Sequence, residues 1–272
     1  MKKALYTVTS GRSGTAYLTE LLRENLNDAE VFHERTGFPH FGVNTPDASH
    51  ATTFNHVGNV AHVQRFWREK LQRDAGEEQT WFADISHHLA KAGLVENIEL
   101  LLPHRQVFLV LLRRDPFSIA WSYINRFEFV NNGFTWLFSL DANYPRKIID
   151  AKEFAKQGVF GKSIWYVNEV FARQAYYREL LSDVAGVTVL HANLSDISRP
   201  AGAAKLLEQL TGEVCEMSGV IVPPSMNASK QVYFNDNVKR DIKKLFENLW
   251  IDPDTAGWEY FQSGRRLGAA QY

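Results

Sequence analysis

Thr9-Ser10-Gly11-Arg12-Ser13-Gly14-Thr15 lies between two different periodicities, and the fold follows from how it is read. Before it, Ala4-Leu5-Tyr6-Thr7-Val8-Thr9 is short, apolar and β-branched, which makes a buried strand. After it, Leu18, Leu21, Leu22 and Leu26 recur at helical spacing. Gly11 and Gly14 permit a tight turn and close backbone approach. Ser13 and Thr15 suit the start of a helix and bring hydroxyl donors. A strand, a Gly/Ser/Thr turn and a helix N-terminus together gather free N–H groups at the positive end of the helix dipole, which favours an anion. Arg12 adds a cation within the turn. The Gly-Lys-Ser/Thr of a Walker P-loop is absent.

Moving outward, strand-like and helical segments alternate. Ala29 to Phe32 is a second apolar run, and His33-Glu34-Arg35 follows it at a strand-to-loop edge. The stretch from Gly42 to Asn59 has little periodicity and is expected to be irregular; Val60 to Asp74 is expected to be helical. Trp81 to Ser86 is a third strand, running into His87 and His88 on opposite faces. Lys91 to Leu102 has a helical pattern. Gln106 to Leu112 is continuously apolar, as in a parallel strand buried on both faces. It ends in Arg113-Arg114-Asp115-Pro116, with Asp115 as cap and Pro116 in the first turn of a helix carrying Ser122. Gly186 to His191 is a fifth strand. Pro200 to Thr211 and Asp236 to Leu249 are helices, and Ile221 to Lys230 is irregular. Alternation of this kind gives an α/β fold with a parallel central sheet flanked by helices. The chain is expected to form a single domain over 1–272, with irregular insertions near 36–60 and 127–162. The aromatic-rich stretch from Trp121 to Tyr177 is expected to build mainly core.

Composition narrows the function classes. A formal net charge of −1 implies no bulk attraction to nucleic acid or to a membrane surface. A single cysteine, Cys215, excludes an internal disulfide and a multi-cysteine metal site. The nine histidines show no metal-binding spacing, so no metal is expected. No apolar run is long enough to span a bilayer, and the N-terminus is a poor signal peptide; the expected location is cytoplasmic.

Ser10-Gly11-Arg12-Ser13-Gly14-Thr15 resembles the 5′-phosphosulfate loop of the sulfotransferases, which use 3′-phosphoadenosine 5′-phosphosulfate (PAPS), in the arginine form of bacterial and carbohydrate-directed members. Arg114-Asp115-Pro116-Phe117-Ser118-Ile119-Ala120-Trp121-Ser122 is similar to that family's 3′-phosphate motif. Asn193-Leu194, and a later helix ending Leu210-Thr211-Gly212, are similar to its downstream core. The resemblance covers about half of the chain, the sheet core. It implies a P-loop-nucleotide-kinase-like three-layer sandwich and a sulfuryl transferase acting on a small-molecule or carbohydrate-containing acceptor. It further implies that Gly11, Arg12, Ser13, Gly14 and Thr15 hold the phosphosulfate and that Arg114 and Ser122 hold the 3′-phosphate. Asn227, Ser229 and Lys230 would return to the nucleotide. Two bases compete: Glu34, at the position of the glutamate of carbohydrate-directed members, and His87, in a Ser-His resembling the Thr-His of small-molecule members. Glu34 is favoured. Many members carry a lysine where this chain has Ile85, so leaving-group stabilisation is expected to fall on Arg12 or on another cation such as Lys230. The alternatives are a nucleotide-dependent kinase of similar fold, for which Asp115 is the nearest magnesium carboxylate, and a non-catalytic nucleotide-binding protein.

Overall fold

The structure, a computed structural model, describes residues 1–130, 139–224 and 232–270. Five strands form one sheet: β1 (Lys3–Val8), β2 (Ala29–His33), β3 (Trp81–Ile85), β4 (Gln106–Arg113) and β5 (Val187–Asn193). Their order is β2-β3-β1-β4-β5, and every pairing is parallel. A parallel sheet needs crossovers that cover both faces, so its strands become apolar on both sides. β4 illustrates this. Val107, Leu109 and Leu111 join the core on one face, while Phe108, Val110 and Leu112 join the other.

On the first face lie α2 (Ala48–Val57), α3 (Ala61–Gly76) and part of the long helix Gly158–Leu181, through Phe54, Trp67, Tyr176 and Tyr177. On the second lie α1 (Thr15–Asn25) and the helix Pro200–Thr211, through Leu18, Leu21, Leu22, Leu206 and Leu207. A third cluster joins α4 (Pro116–Asn125) to the long helix through Ile119, Tyr123, Tyr166 and Val170. The structure is thus a parallel sheet with helices on both sides. Among the described residues, no helix is long and apolar enough to cross a membrane.

Three sequence expectations need correction. The stretch from Gly42 to Asn59 is not irregular throughout, because it contains α2. Its Thr, His and Asn residues have modest helix propensity, but Asp47 accepts hydrogen bonds from the Ser49 and His50 N–H groups at its N-terminus, and Phe54 is completely buried. Capping and tertiary packing outweigh propensity there. The segment Lys91 to Leu102 is two 3-10 helices, Leu89–Ala92 and Val95–Leu101, broken at Gly93. Gly93 has φ 96°, and a Cβ on it would lie 3.0 Å from the Phe54 ring. The long helix begins at Gly158, inside the region expected to be an insertion. Phe134, Trp136 and Phe138 of the aromatic stretch lie outside the described residues, whereas Trp165, Tyr166, Phe171, Tyr176 and Tyr177 are core.

Buried charge braces the first face. Lys70 lies 2.8 Å from Asp74 and 2.9 Å from Asp84, and Arg35 reaches Asp84 at 2.9 Å. Burial pushes the Asp84 carboxyl up, and Lys70 and Arg35 more than offset it, so it stays below the usual carboxylate range. Glu96 is different. Tyr177 donates to its Oε1 at 3.0 Å, its Oε2 is buried without a partner, and Gly268 packs so closely that a Cβ there would meet its Cγ at 2.3 Å. Burial, opposed by the Tyr177 hydrogen bond and by Arg173, pushes this carboxyl up to about 7.

The folded state therefore holds the Glu96 proton more tightly than the unfolded chain does. Its contribution is complete below the ordinary carboxyl value of 4.5 and is lost as pH rises through about 7. We expect Glu96→Gln to flatten the fall in stability between about pH 5 and 8 by up to roughly 3 kcal/mol, read from urea midpoints. Equal slopes in both proteins would place the carboxyl at its ordinary value.

Candidate active site

The strand order dictates where a ligand can enter. The chain leaves β1 toward β2 on one side of the sheet and leaves β4 toward β5 on the other. The loops after adjacent β1 and β4 therefore diverge, and open α/β sheets bind ligands at such a switch point, beyond the strand C-termini. Those two loops carry the sequence-predicted anion motifs.

In the β1 loop, Gly11 has φ 77°, Arg12 55° and Gly14 99°. Gly14 is the N-cap of α1, and no side chain caps the helix. Leu194, just after β5, crosses Gly14 so closely that a Cβ would lie 2.6 Å from its Cδ1. Among the described residues, the backbone N–H groups of residues 11–17 donate to nothing. Seven unbonded N–H groups in a loop that opens a helix make a candidate anion cradle. Ser13 does not contribute its hydroxyl as expected. Its Oγ is fully buried, donating to the Gly11 carbonyl at 3.1 Å and lying 2.9 Å from Ser10 Oγ. Only its main chain remains available to an anion.

The two motifs are joined directly. Arg12 Nε donates to Ser122 Oγ at 3.0 Å, and Arg114 Nη1 donates to the Arg12 carbonyl at 3.2 Å. No described residue bonds the terminal nitrogens of Arg12. Burial, then nearby Arg126, lowers the Arg12 pKa, as expected of a half-buried cation near other cations. Arg114 makes no ion pair with Asp115, which instead caps α4 by accepting from the Ser118 N–H at 2.7 Å. Arg113, beside it, is structural, with both terminal nitrogens on Asp254 at 2.9 Å. Asn227, Ser229 and Lys230 lie outside the described residues.

Glu34 stands at the edge of this cradle, in the left-handed region with φ 40°. Only four non-glycine residues among those described have positive φ, and two of them are Arg12 and Glu34, at the predicted site. The residue that pairs with core carboxylates is its neighbour, Arg35. Thr15 Oγ1 donates to Glu34 Oε1 at 3.0 Å and lies 3.1 Å from His33 Nε2. His87 Nε2 lies 3.8 Å from the same carboxylate oxygen. The two competing bases are thus neighbours. His87 and His88 do not point to opposite faces: they follow β3 rather than belonging to it, and their ring centroids are 3.9 Å apart. Burial first, then His88, Lys91, His33 and Arg12, holds the His87 pKa well below its ordinary value. Among the described residues, no three His, Cys, Asp or Glu side chains are grouped to hold a metal ion.

Sequence reasoning missed the groups behind the loop. Tyr123 and Tyr166 both donate to the Ser10 carbonyl, the latter at 2.5 Å. Lys91 donates to Tyr166 Oη at 2.8 Å, and its Nζ lies 2.8 Å from His87 Nδ1. The one sequence signal was spacing, since Lys91 follows His87 by four residues and helical turns bring such pairs together. These groups leave no room at Gly11, where a Cβ would lie 2.7 Å from Tyr123 Oη and 3.1 Å from the His87 ring.

Gly11→Ala is therefore expected to cost about 2 kcal/mol in urea denaturation, from the left-handed backbone together with the clash. A change within experimental error would mean that the loop relaxes freely. The chain matches no known family, no curated protein and no solved structure.

Proposed function

We propose that this chain is a PAPS-dependent sulfotransferase with a P-loop-nucleotide-kinase-like sandwich, acting on a hydroxyl or amine of a small-molecule or carbohydrate-containing acceptor. One observation carries the reading. Arg12, Arg114 and Ser122, drawn from two separate motifs, are hydrogen-bonded to one another at the switch point, beside unbonded N–H groups and a carboxylate.

PAPS, when bound, supplies a sulfuryl group attached to a phosphate leaving group. The N–H groups of residues 11–17 and the Arg12 guanidinium would hold the sulfonate and 5′-phosphate oxygens, where charge accumulates. Arg114 and Ser122 would hold the 3′-phosphate, with the planar guanidinium suited to forked contact. Glu34 would take the acceptor's proton as the acceptor–sulfur bond forms and the sulfur–oxygen bond to phosphate breaks. Adenosine 3′,5′-bisphosphate and the sulfated acceptor leave, and the Glu34 proton passes to solvent. The kinase alternative is weakened because Asp115, its nearest magnesium carboxylate, is committed to capping α4.

Calorimetry with adenosine 3′,5′-bisphosphate, without magnesium and with ADP as control, tests the pocket. We expect micromolar binding of the bisphosphate, much weaker ADP binding, and at least about tenfold weaker bisphosphate binding in Arg12→Ala and Arg114→Ala. A preference for ADP that needs magnesium, or native affinity in both variants, would overturn the assignment. Glu34→Gln is expected to bind PAPS normally and to lose turnover by about 100-fold or more. If His87→Ala behaves that way and Glu34→Gln does not, the base is His87.

A further inference from the structure

We propose that Lys91 is a positioning residue that holds His87 in its neutral, Nε2-protonated tautomer, making the imidazole a hydrogen-bond donor beside Glu34 and leaving the carboxylate, not His87, as the proton acceptor of that pair. The role of Glu34 rests on the proposed transfer reaction; the tautomer of His87 does not.

The inference comes from counting protons along one chain of contacts. Tyr166 has a single hydroxyl proton, and it goes to the Ser10 carbonyl at 2.5 Å. The 2.8 Å contact between Lys91 Nζ and Tyr166 Oη must then use a lysine proton. In its ammonium form, which Glu34 favours, Lys91 has three donors and no acceptor. At 2.8 Å from that ammonium, His87 Nδ1 accepts, and an imidazole accepting at Nδ1 carries its hydrogen on Nε2. That nitrogen lies 3.8 Å from Glu34 Oε1, the oxygen that also accepts from Thr15. In this form Nε2 has no lone pair in the ring plane with which to take a proton. A second proton on His87 would have to occupy Nδ1, facing the lysine.

The surroundings agree. Among the described residues, charged or titratable groups near His87 include Lys91, His88, His33, Arg12 and Glu34, and the ring packs against Gly11. All but Glu34 disfavour a charged imidazole, as does burial. Burial also lowers the Lys91 pKa well below its ordinary value, while Glu34 favours the ammonium. Lys91 thus stands behind the loop, against both His87 and Tyr166.

The direct test is nitrogen-detected NMR on ¹⁵N-histidine-labelled protein without nucleotide, with the His87 signals assigned by their loss in His87→Gln. The expected result is an Nδ1 acceptor and a protonated Nε2, unchanged between about pH 6 and 8. A protonated Nδ1, or a titrating His87, overturns the proposal, and this measurement needs no variant of Lys91 to fold. In Lys91→Met, His87 is expected to become a mixture of tautomers that titrates in this range, and Lys91→Arg, still a donor, to restore the single tautomer. A Lys91→Met protein with the unchanged Nε2-protonated form would also overturn it. In turnover, Lys91→Met should lower kcat about tenfold, leave KM for PAPS within about twofold, and add a histidine ionisation to the pH profile of kcat/KM. Loss of the nucleotide reading would appear instead as failure to bind adenosine 3′,5′-bisphosphate with the His87 tautomer as expected.

Discussion

The Ser10 carbonyl is gripped from behind by two buried tyrosine hydroxyls, and the front of the loop depends on that grip. Tyr123 comes from α4 and Tyr166 from the long helix, so both helices are tied to the end of β1. Their rings meet edge to face, with centroids 5.3 Å apart. With the Ser10 and Gly11 carbonyls and the Ser10 and Ser13 hydroxyls bonded on the inner side, the loop keeps the N–H groups of residues 11–17 unbonded. A polar segment buried on one side and donor-rich on the other is an arrangement suited to an anion.

Basic side chains stand both in front of and behind this loop. Arg12 and Arg114 occupy the switch point, tied to each other through a carbonyl and to Ser122. Lys91 lies behind, buried and tied to His87 and Tyr166. Glu34 is the carboxylate within this field, and its Oε1 is the point on which Thr15, His33 and His87 converge. The left-handed backbone of both Arg12 and Glu34 is the strain accepted to bring those two side chains to one crevice.

The elements that the sequence announced best were those with strong periodicity and clear ends. β4 and the helices Pro200–Thr211 and Asp236–Leu249 were legible because an unbroken apolar run, a proline and glycine pair, and an amphipathic pattern each have one physical interpretation. α2 was not legible, because its stability comes from Asp47 as cap and from Phe54 buried against residues far along the chain. The break at Gly93 was missed for the same reason. The glycine is required by the Phe54 ring, and no local pattern in Lys91 to Leu102 records that ring.

The residues of the candidate site divide along the same line. By itself the sequence determined the alternation that makes a parallel sheet, and it marked the loops after β1 and β4 as candidate anion-binding edges with Glu34 and His87 nearby. These follow from local periodicity, turn chemistry and charge at strand ends, which neighbouring residues encode. Only the tertiary structure decided that the two edges meet through hydrogen bonds, that Ser13 turns inward, that the His87 and His88 rings lie against each other, and that Lys91 and two tyrosines stand behind the loop. Those facts depend on strand order and on helices packing from distant parts of the chain, and hydrogen bonds between such residues leave no periodic trace in the sequence.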